Sequence, residues 1–556
     1  MRYSLLLSIA VLCSQVAFAQ QTTPKGQLHG NFSMMWQQYN EDSLIGARVP
    51  DAKSAMNAFG NITYSYGDFS AGVRFESYQN ALLGFPKGFN GTGIGSRYAR
   101  YNNDNLDITV GNFYEQFGNG LIFRSYWEPM LGIDNALDGM RVLWKPYRGI
   151  YLKGVYGNQR AAFDSRLING SGLVRGVDSE LNLKELFPKL DTTGRFNLTL
   201  GTSFVSKFEA GQTIEKGTEV FDLPQNVGAW ASRLKLEMGN FQINGEYATK
   251  INDPNADNGF IYKKGQAMFL NAGYSKKGIG INVNGKLVDN MAFRSSRDAL
   301  LFELPINFLP AITKQHTYNL AATLYPYATV LNGENGFSAE VYYTFKKKTK
   351  LGGKYGTNIS LNFAAVNSLD TTRFTGRDGM IWGYERNSLG FGSTKFVRDF
   401  NVDLKKKISN EWSMALTYYY FEFNTLATPV TQDFKGIVYA DIFVGEFQYK
   451  IDAKNTVRME LQNLQTDQDK GDWATIVAEY TFSPHWTFSL IDQYNYGNDN
   501  ADARVHYLYG AVAYSKGSNR LSIGYGKRRE GIFCIGGVCR AVPASNGVEI
   551  TISSSF

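Results

Sequence analysis

Apolar and polar residues alternate along most of this chain. In the segment 456–462, Val457, Met459 and Leu461 lie at every second position, and polar or charged residues occupy the positions between them. Side chains of a β-strand point alternately to opposite faces, so this pattern predicts a strand with one apolar and one polar face. The same alternation appears in the segments 69–76, 230–238, 241–247 and 474–482.

The lengths of these segments separate two interpretations, a soluble sheet and a membrane barrel. Many segments run for about 10–13 residues, which exceeds the common strand length of about 5–6 residues and suits a tilted membrane span of about 9–11 residues. A membrane barrel is therefore favoured, with a soluble all-β array as the alternative. Aromatic residues also gather near segment ends, as in the girdles of such barrels; they are Trp412, Trp473, Trp486 and the run 418–421.

Short and long connections alternate between the predicted strands. Short periplasmic turns and long extracellular loops are typical of outer-membrane barrels. The pattern therefore predicts an all-β fold, a large transmembrane antiparallel β-barrel with long extracellular loops. The short turns include 67–68, 239–240, 276–278, 452–455, 483–485 and 516–518. The long connections cover about 39–55, 80–96, 159–171, 208–227, 251–263 and 367–394.

Both ends of the chain indicate export to an outer membrane. Residues 1–19 combine a basic start, an apolar run and a small-x-small ending, as a secretory signal peptide does. The apolar run is too short for the alternative, a transmembrane anchor. Cleavage is expected at about Ala19/Gln20, which leaves residues 20–556 as a single barrel. The chain ends on Phe556 within an alternating strand, which resembles the C-terminal assembly signal of outer-membrane barrels.

Counting the alternating segments predicts about 26 strands, with 22 or 24 as alternatives. About thirteen are expected up to Val288, and about eleven from Phe337 to the C-terminus. Between them, 318–327 is predicted as one more strand, and an even total requires a partner near 300–312. Wall side chains alone do not fill a barrel this wide, so loops or a partner fill it, or it conducts.

Composition narrows the class of protein further. The 556 residues include 57 Lys and Arg against 50 Asp and Glu, with 14% aromatic residues, Gly 57 and Pro 14. The mean hydropathy of −0.28 excludes a helical membrane protein, which needs spans of about 20 apolar residues. The net charge of +7 comes without a basic block, which argues against nucleic acid as a partner.

Charged residues of both signs fall on the polar faces of the predicted strands. We expect them in a hydrated lumen, because an isolated charge in hydrocarbon is costly. They form either a polar pore or ion pairs that brace a plugged lumen, and both interpretations stay open. The residues are Arg74, Glu76, Lys153, Arg233, Lys235, Glu237, Glu246, Arg458, Glu460, Glu479 and Glu549.

The segment 111–139 interrupts the alternation and mixes glycines, aromatic residues and opposed charges. This composition suits a loop that folds into the barrel mouth, because wide barrels are often narrowed in this way. An ordinary surface loop is the alternative. If the loop folds inward, the residues expected at the constriction are Glu115, Arg124, Glu128 and Asp134.

Two further charge patterns have a functional and an ordinary explanation. Stretches rich in Asp and Asn, such as 252–257, offer the oxygen ligands that calcium takes, but none has a full loop signature and solvated turns are favoured. Lysines at 346–350 and 405–407 fall near predicted periplasmic turns. They either contact anionic head groups or a periplasmic partner, or form a solvated rim.

Cys534 and Cys539 flank a Gly-Gly turn. Such a pair in an exported protein predicts a disulfide that pins the tip of a loop. A metal site would need more ligands, and no histidine lies nearby in the sequence.

Catalytic chemistry has little support in the sequence. The four histidines are scattered without metal-pair spacing, and no nucleophile elbow is present. His29 near Ser33 is the one pair worth considering for nucleophilic catalysis. We therefore predict a protein that is not an enzyme and has no cofactor or metal, with a lipid-active enzyme as a minor alternative.

Three segments carry a resemblance to a known family. The segments 111–127, 131–136 and 309–318 resemble parts of an uncharacterised Bacteroidota-type outer-membrane β-barrel family, catalogued as a domain of unknown function. The resemblance spans most of the mature chain and implies one large barrel. It implies no activity and transfers no functional residue.

These patterns together predict an integral protein of the cell outer membrane, a porin-like or selective channel for hydrophilic solutes. The alternative is a non-enzymatic barrel subunit or scaffold of a secretion or envelope-assembly complex. The expected partners are outer-membrane lipid, the barrel assembly machinery through the C-terminal strand, and a periplasmic or outer-membrane protein.

Overall fold

The computed structural model describes the chain from residue 26 onward, with a few short gaps. The described ranges are 26–86, 88–190, 194–217, 219–301, 303–427, 434–535 and 538–556. The predicted signal peptide and its cleavage site lie outside the described residues.

Twenty-four strands form one closed antiparallel sheet, in which strands that follow one another along the chain pair with each other. The first strand closes the barrel by pairing with the last, in a register that places Met34 opposite Ile552. The wall strands are β1 (Gln27–Asn40), β2 (Ser54–Tyr66), β3 (Phe69–Gln79), β4 (Phe89–Asn102), β5 (Leu106–Phe113), β8 (Leu137–Tyr147), β9 (Ile150–Asp164), β10 (Leu167–Asn182), β11 (Phe196–Phe208), β14 (Asn226–Met238), β15 (Phe241–Lys250), β16 (Gly265–Lys276), β17 (Ile279–Asp289), β18 (Gly333–Phe345), β19 (Thr357–Arg373), β20 (Tyr384–Lys407), β21 (Trp412–Asn424), β22 (Ile437–Lys450), β23 (Asn455–Gln465), β24 (Trp473–Phe482), β25 (Trp486–Tyr494), β26 (Tyr509–Lys516), β27 (Asn519–Arg528) and β30 (Ser545–Ser555).

Six further strands form three small hairpins outside the wall sheet. They are β6 (Trp127–Glu128) with β7 (Ile133–Asp134), β12 (Gln212–Lys216) with β13 (Glu219–Leu223), and β28 (Gly531–Ile535) with β29 (Val538–Val542). Within the described ranges, three short α-helices lie in connections, namely α1 (Leu183–Leu186), α2 (Asn319–Thr323) and α3 (Gly376–Trp382).

The outward face of the wall is apolar. Phe69, Val73 and Phe75 of β3 are 63%, 43% and 48% exposed, whereas Arg74 and Glu76 between them are buried. An apolar surface that continues around a whole protein is stable against lipid and not against water. The alternating apolar residues therefore face outward and the polar ones inward, as predicted. The fold class of a large transmembrane-type antiparallel barrel is confirmed.

The wall has 24 strands rather than about 26. Thirteen lie before residue 290 and eleven after residue 332, as the pattern predicts. The two extra strands predicted at 300–312 and 318–327 are wrong. Pro305 and Pro310 lack the N–H that a sheet ladder needs, and this part of the chain leaves the wall and enters the lumen.

Connections are mostly short at one end of the barrel and mostly long at the other, which we call the short-turn end and the long-loop end. Two of the predicted long loops are wrong. β9 and β10 continue until only 165–166 separates them, and β19 and β20 continue until they are joined around α3. Alternation weakens in these extensions, which lie beyond the apolar band, so the sequence pattern did not reveal them.

The aromatic residues predicted near strand ends divide between the two sides of the wall. Trp412 and Trp486 are 44% and 41% exposed and lie on the outer face near the short-turn end. Trp473, Tyr419 and Phe421 are buried and face the lumen. Only the outward group fits an aromatic girdle.

Two long connections enter the lumen. We call 114–136, between β5 and β8, the first lumen segment, and 290–332, between β17 and β18, the second lumen segment. Phe123 of the first and Ile306 of the second belong to one buried apolar cluster with small inward side chains of the wall such as Ala231. The apolar core of the protein therefore lies inside the barrel.

Candidate functional site in the barrel lumen

The first lumen segment begins with a tight turn that reaches β15 of the wall. The rings of Phe117 and Phe123 lie 4.9 Å apart and are fully buried. Gly118 has φ +53, and a Cβ there would lie 2.4 Å from Oε2 of Glu246. Glycine is therefore required, and the close approach lets Asn119 N donate to that carboxylate at 2.6 Å.

Four buried charges fix the end of the first lumen segment to the wall. Arg160 donates to Glu76 at 2.7 Å and to Asp134 at 2.8 Å, and Arg74 bonds the same two carboxylates. The side chains are at most 5% exposed. Tyr114 donates to Asp134 at 2.8 Å. In such a place each charge depends on its partners, because removing one leaves the others buried and uncompensated.

The other residues predicted at the constriction have separate partners. Glu115 accepts from Lys153 at 2.9 Å and lies 3.6 Å from Arg141. Glu128 accepts from the N–H of Met130 at 3.3 Å. Unlike Glu115 and Asp134, Arg124 faces open space in the lumen. The structure thus places the predicted group in the lumen segment but distributes it among different contacts.

Buried charges tie the long loop 251–264 to the wall, and through it to the second lumen segment. Lys207 and Lys250 both lie 2.9 Å from Asp253, which is 1% exposed. Although burial alone would raise it, the charges of the two lysines lower the pKa of Asp253 below its ordinary value. Lys250 also donates to the carbonyl of Ala292, at the start of the second lumen segment.

The stretch 252–257 is therefore not a solvated turn. Asp257 binds Arg294 of the second lumen segment, and Asn255 is fully buried. Asn255 and Asp257 hold the second lumen segment in place, because they lie where it meets the loop 251–264.

The predicted lumen charges of the wall all have a polar partner. Arg233 contacts Asp178 and Glu180 at 2.8 and 2.7 Å, and Lys235 with Glu237 forms an exposed pair at 2.8 Å. The remaining contacts are Arg458 with Glu446, Glu460 and Glu479 and Glu549 with Arg528 and Gln37. This arrangement favours braced walls over a continuous belt of free charges.

A cavity of about 790 Å³ remains between the lumen segments and the wall. Its lining includes Arg124, Phe308, Lys314, His316 and Phe421. Its volume falls within the range of about 300–1,000 Å³ that is usual for a small-molecule site, and its lining mixes apolar and aromatic residues with polar and charged ones. This cavity is the candidate functional site.

A second cavity of about 530 Å³ borders the first, since Thr317 lines both. It lies toward the short-turn end and is lined by Lys405, Lys406 and Lys407 together with Arg458. The predicted basic cluster 405–407 therefore faces partly into the lumen mouth as well as the rim.

The contacts around His316 had no signal in the sequence. Its Nε2 lies 2.7 Å from Asp399 of β20, 83 residues away, and its ring lies 5.4 Å from that of Phe421. An isolated histidine in an irregular segment gives no indication of its partner. His29, by contrast, lies 3.4 Å from Gln27, and no contact joins it to Ser33 in the described part of the chain.

The two terminal predictions meet the structure differently. Cys534 lies directly opposite Cys539 in the β28–β29 hairpin, but the side chain of Cys534 is outside the described residues, so the disulfide stays a prediction. Phe556 exchanges two backbone hydrogen bonds with Gly30 of β1, at 2.9 and 3.0 Å. The last residue thus takes part in closing the barrel, while its role as an assembly signal stays a prediction.

Neither a cluster of metal ligands nor a membrane-crossing helix is present among the described residues. No group of three or more His, Cys, Asp or Glu side chains there has the arrangement of a metal site. Within the same ranges, no helix has the length and apolar character needed to cross a membrane.

The chain belongs to a family of unknown function, DUF6029, whose sequence profile matches residues 1–556. A comparison with curated proteins finds no match.

Solved structures with a similar shape are outer-membrane barrels. The siderophore receptor PirA from Pseudomonas aeruginosa matches with a TM-score of 0.41 and 9% identity, over 97% of this chain and 81% of that one. The siderophore receptor PiuA from Acinetobacter baumannii gives 0.38 and 11%, over 96% and 82%. A mutant of the Rh. blastica porin gives 0.26 and 13%, over 65% and 100%. At these identities the likeness concerns the barrel shape alone.

Proposed function

We propose that this protein is a selective channel of the outer membrane for a small hydrophilic solute. One observation carries the proposal: the chain fills most of its own lumen, yet leaves two adjoining cavities of about 790 and 530 Å³ beside the second lumen segment. A general pore would leave a wide water channel, whereas a narrow path through a filled lumen selects its solute.

The contacts of the second lumen segment support a role as the barrier. It is anchored near its start by the buried Arg294, which pairs with Asp257, and near its end by Val330, whose N–H donates to the buried Glu334 at 2.7 Å. In its middle, Lys314 makes ion pairs at 3.1 and 3.2 Å with Glu340 and Asp403, and the lysine side chain is 31% exposed. The stretch around Lys314, which partly exposed ion pairs hold between anchored ends, can shift without leaving the barrel.

Conductance of the purified full chain in planar lipid bilayers tests this function. Replacing residues 298–328 by a short Gly-Ser linker keeps both anchors and removes the barrier, so we expect severalfold larger current steps than in the unaltered protein. As a control, the same replacement of the hairpin 212–223, outside the wall and lumen, leaves the steps unchanged. Heat-modifiable gel mobility verifies folding. Silent bilayers for both the unaltered and the opened barrel contradict a channel.

A scaffold in a secretion or envelope-assembly complex is the second candidate. The buried network of Arg74, Glu76, Asp134 and Arg160 favours it, because it fixes the first lumen segment rigidly. A scaffold predicts a silent barrel that co-purifies with partner proteins in fixed stoichiometry. Outer-membrane lipid and the barrel assembly machinery are partners under either proposal. In both, the protein is not an enzyme, and its family is one of Bacteroidota.

A further inference from the structure

Arg124 differs from the other charged residues near the candidate site. In the described part of the chain, no carboxylate forms an ion pair with it, whereas Lys314 contacts Glu340 and Asp403. His316 is likewise engaged by Asp399 at 2.7 Å. The 790 Å³ cavity therefore contains one cation whose charge is not compensated by the protein.

Arg124 is held in a defined position. Its N–H donates to the carbonyl of Ile306 at 2.8 Å, and its backbone forms an isolated bridge with Gln116. The guanidinium carbon lies 4.0 Å from the ring centre of Phe308 and 4.6 Å from that of Tyr126. The two rings meet at 75°, so the guanidinium lies in the corner between them, where contact with both rings holds it in place and leaves N–H groups for a ligand.

The environment of Arg124 favours the binding of an anion. Burial lowers the pKa of Arg124, because a guanidinium taken from water loses hydration, and an anion bound there would restore favourable contacts. The rest of the lining offers aromatic faces, Phe308, Phe421 and Tyr325, which suit a flat apolar body.

We propose that Arg124 and the aromatic faces of this cavity bind a small organic anion, a carboxylate or phosphate carried on a flat apolar body. The proposal rests on the proposed channel function and names the class of solute that passes. A planar guanidinium pairs with either head group through two parallel hydrogen bonds, and the cavity volume is that of an ordinary small-molecule site.

Binding to the purified full chain in detergent, measured by isothermal titration calorimetry, tests the site with three probes: phenyl phosphate, benzoate and neutral benzyl alcohol. We expect at least one of the two anions to bind, and benzyl alcohol to bind at least about tenfold more weakly, because a hydrogen bond to a charged group contributes about 1.5–3 kcal/mol. The tighter of the two anions identifies the head group. No binding of either anion, or equal binding of the alcohol, overturns the proposal.

Variants locate the binding. Arg124→Gln removes the charge and should weaken the anion at least about tenfold, whereas Arg124→Lys, which keeps the charge without the planar fork, should weaken it less. The control Arg175→Gln removes an exposed arginine that donates to Asn226, far along the wall from the cavity lining, and should change nothing. If Arg124→Gln loses no more anion affinity than Arg175→Gln does, the assignment of the site to Arg124 is overturned. Arg124→Lys keeps the test decisive if Arg124→Gln does not fold.

The two proposals fail in distinguishable ways. If an anion binds through Arg124 but the barrel never conducts, the channel proposal is contradicted and the binding-site proposal stands. If the barrel conducts but no anion binds through Arg124, the channel proposal stands and the anion site is contradicted.

Discussion

The two lumen segments are held inside the barrel by contacts of different strength. The first ends in a network whose charges are almost completely buried, with Asp134 between Arg74 and Arg160. The second is anchored at its ends, but its middle borders both cavities and contacts the wall through the partly exposed Lys314. Buried pairs are costly to break and exposed pairs are not, so the first segment is a fixed part of the lumen and the second is the candidate barrier.

The largest expected effect comes from breaking the network of the first segment. Arg160→Met leaves Glu76 and Asp134 buried with Arg74 as their only cation among the four, and should lower the free energy of unfolding by about 3–5 kcal/mol. The midpoint of unfolding in guanidinium chloride measures it. Lys235→Met, which breaks an exposed pair with Glu237, is the matched control and should cost at most about 1 kcal/mol. Equal losses in the two variants would show that the first segment is not specially fixed.

An intermediate effect is expected at the anchor of the second segment as the pH falls. The pKa of Asp253 is lowered in the folded protein by Lys250 and Lys207, against the effect of burial. Its contribution to stability is therefore present above the ordinary aspartate pKa of about 3.9 and is lost as the pH falls through its lower folded value. Once Asp253 is protonated, the two lysines repel each other across it.

Protease cleavage of the second lumen segment, measured between pH 7 and pH 2.5 with an acid-stable protease, follows this release. We expect cleavage to rise at the acid end. Asp253→Asn should already be open at pH 7 and lose the acid-dependent step. If the acid-dependent rise in cleavage is as large in Asp253→Asn as in the unaltered protein, another carboxylate causes it. The effect should be smaller than that of Arg160→Met, since protonated Asp253 still accepts from Asn255.

The smallest effect on stability is expected in the middle of the second segment. Lys314→Met breaks two partly exposed ion pairs and should change the free energy of unfolding by about 0–1 kcal/mol. In bilayers the same variant should shift the reversal potential toward cation preference, because Glu340 and Asp403 lose their cation. Lys395→Met, at an exposed pair with Glu422, is the control that should leave selectivity unchanged. A large loss of stability in Lys314→Met would show that the middle of the second lumen segment is held as firmly as the first lumen segment.

The wall was predictable because its signal is local. A period of two residues sorts Val457, Met459 and Leu461 to the outer face without knowledge of any distant residue, and thirteen plus eleven strands follow from it. The error at 318–327 has the same origin, because a short apolar run with aromatic residues suits a strand. The strand at 300–312 was predicted only because an even total required a partner, and Pro305 and Pro310 argued against it.

The candidate site was predictable only in part. Glycines and opposed charges drew attention to the first lumen segment and to Arg124, because they interrupt a regular pattern. The second lumen segment, which supplies Phe308 and His316 to the same cavity, has no such mark. The pairing of His316 with Asp399 across 83 residues depends on where two distant parts of the chain meet.

The sequence by itself determined the barrel, its apolar outer face and the inward direction of its charges, since each depends on neighbours two residues apart. Only the tertiary structure decided how those charges pair, that two connections fill the lumen, and that Arg124 faces the larger cavity without a carboxylate partner among the described residues. The reason is physical: alternation fixes a direction, whereas an ion pair or a cavity requires that particular distant residues arrive at the same place.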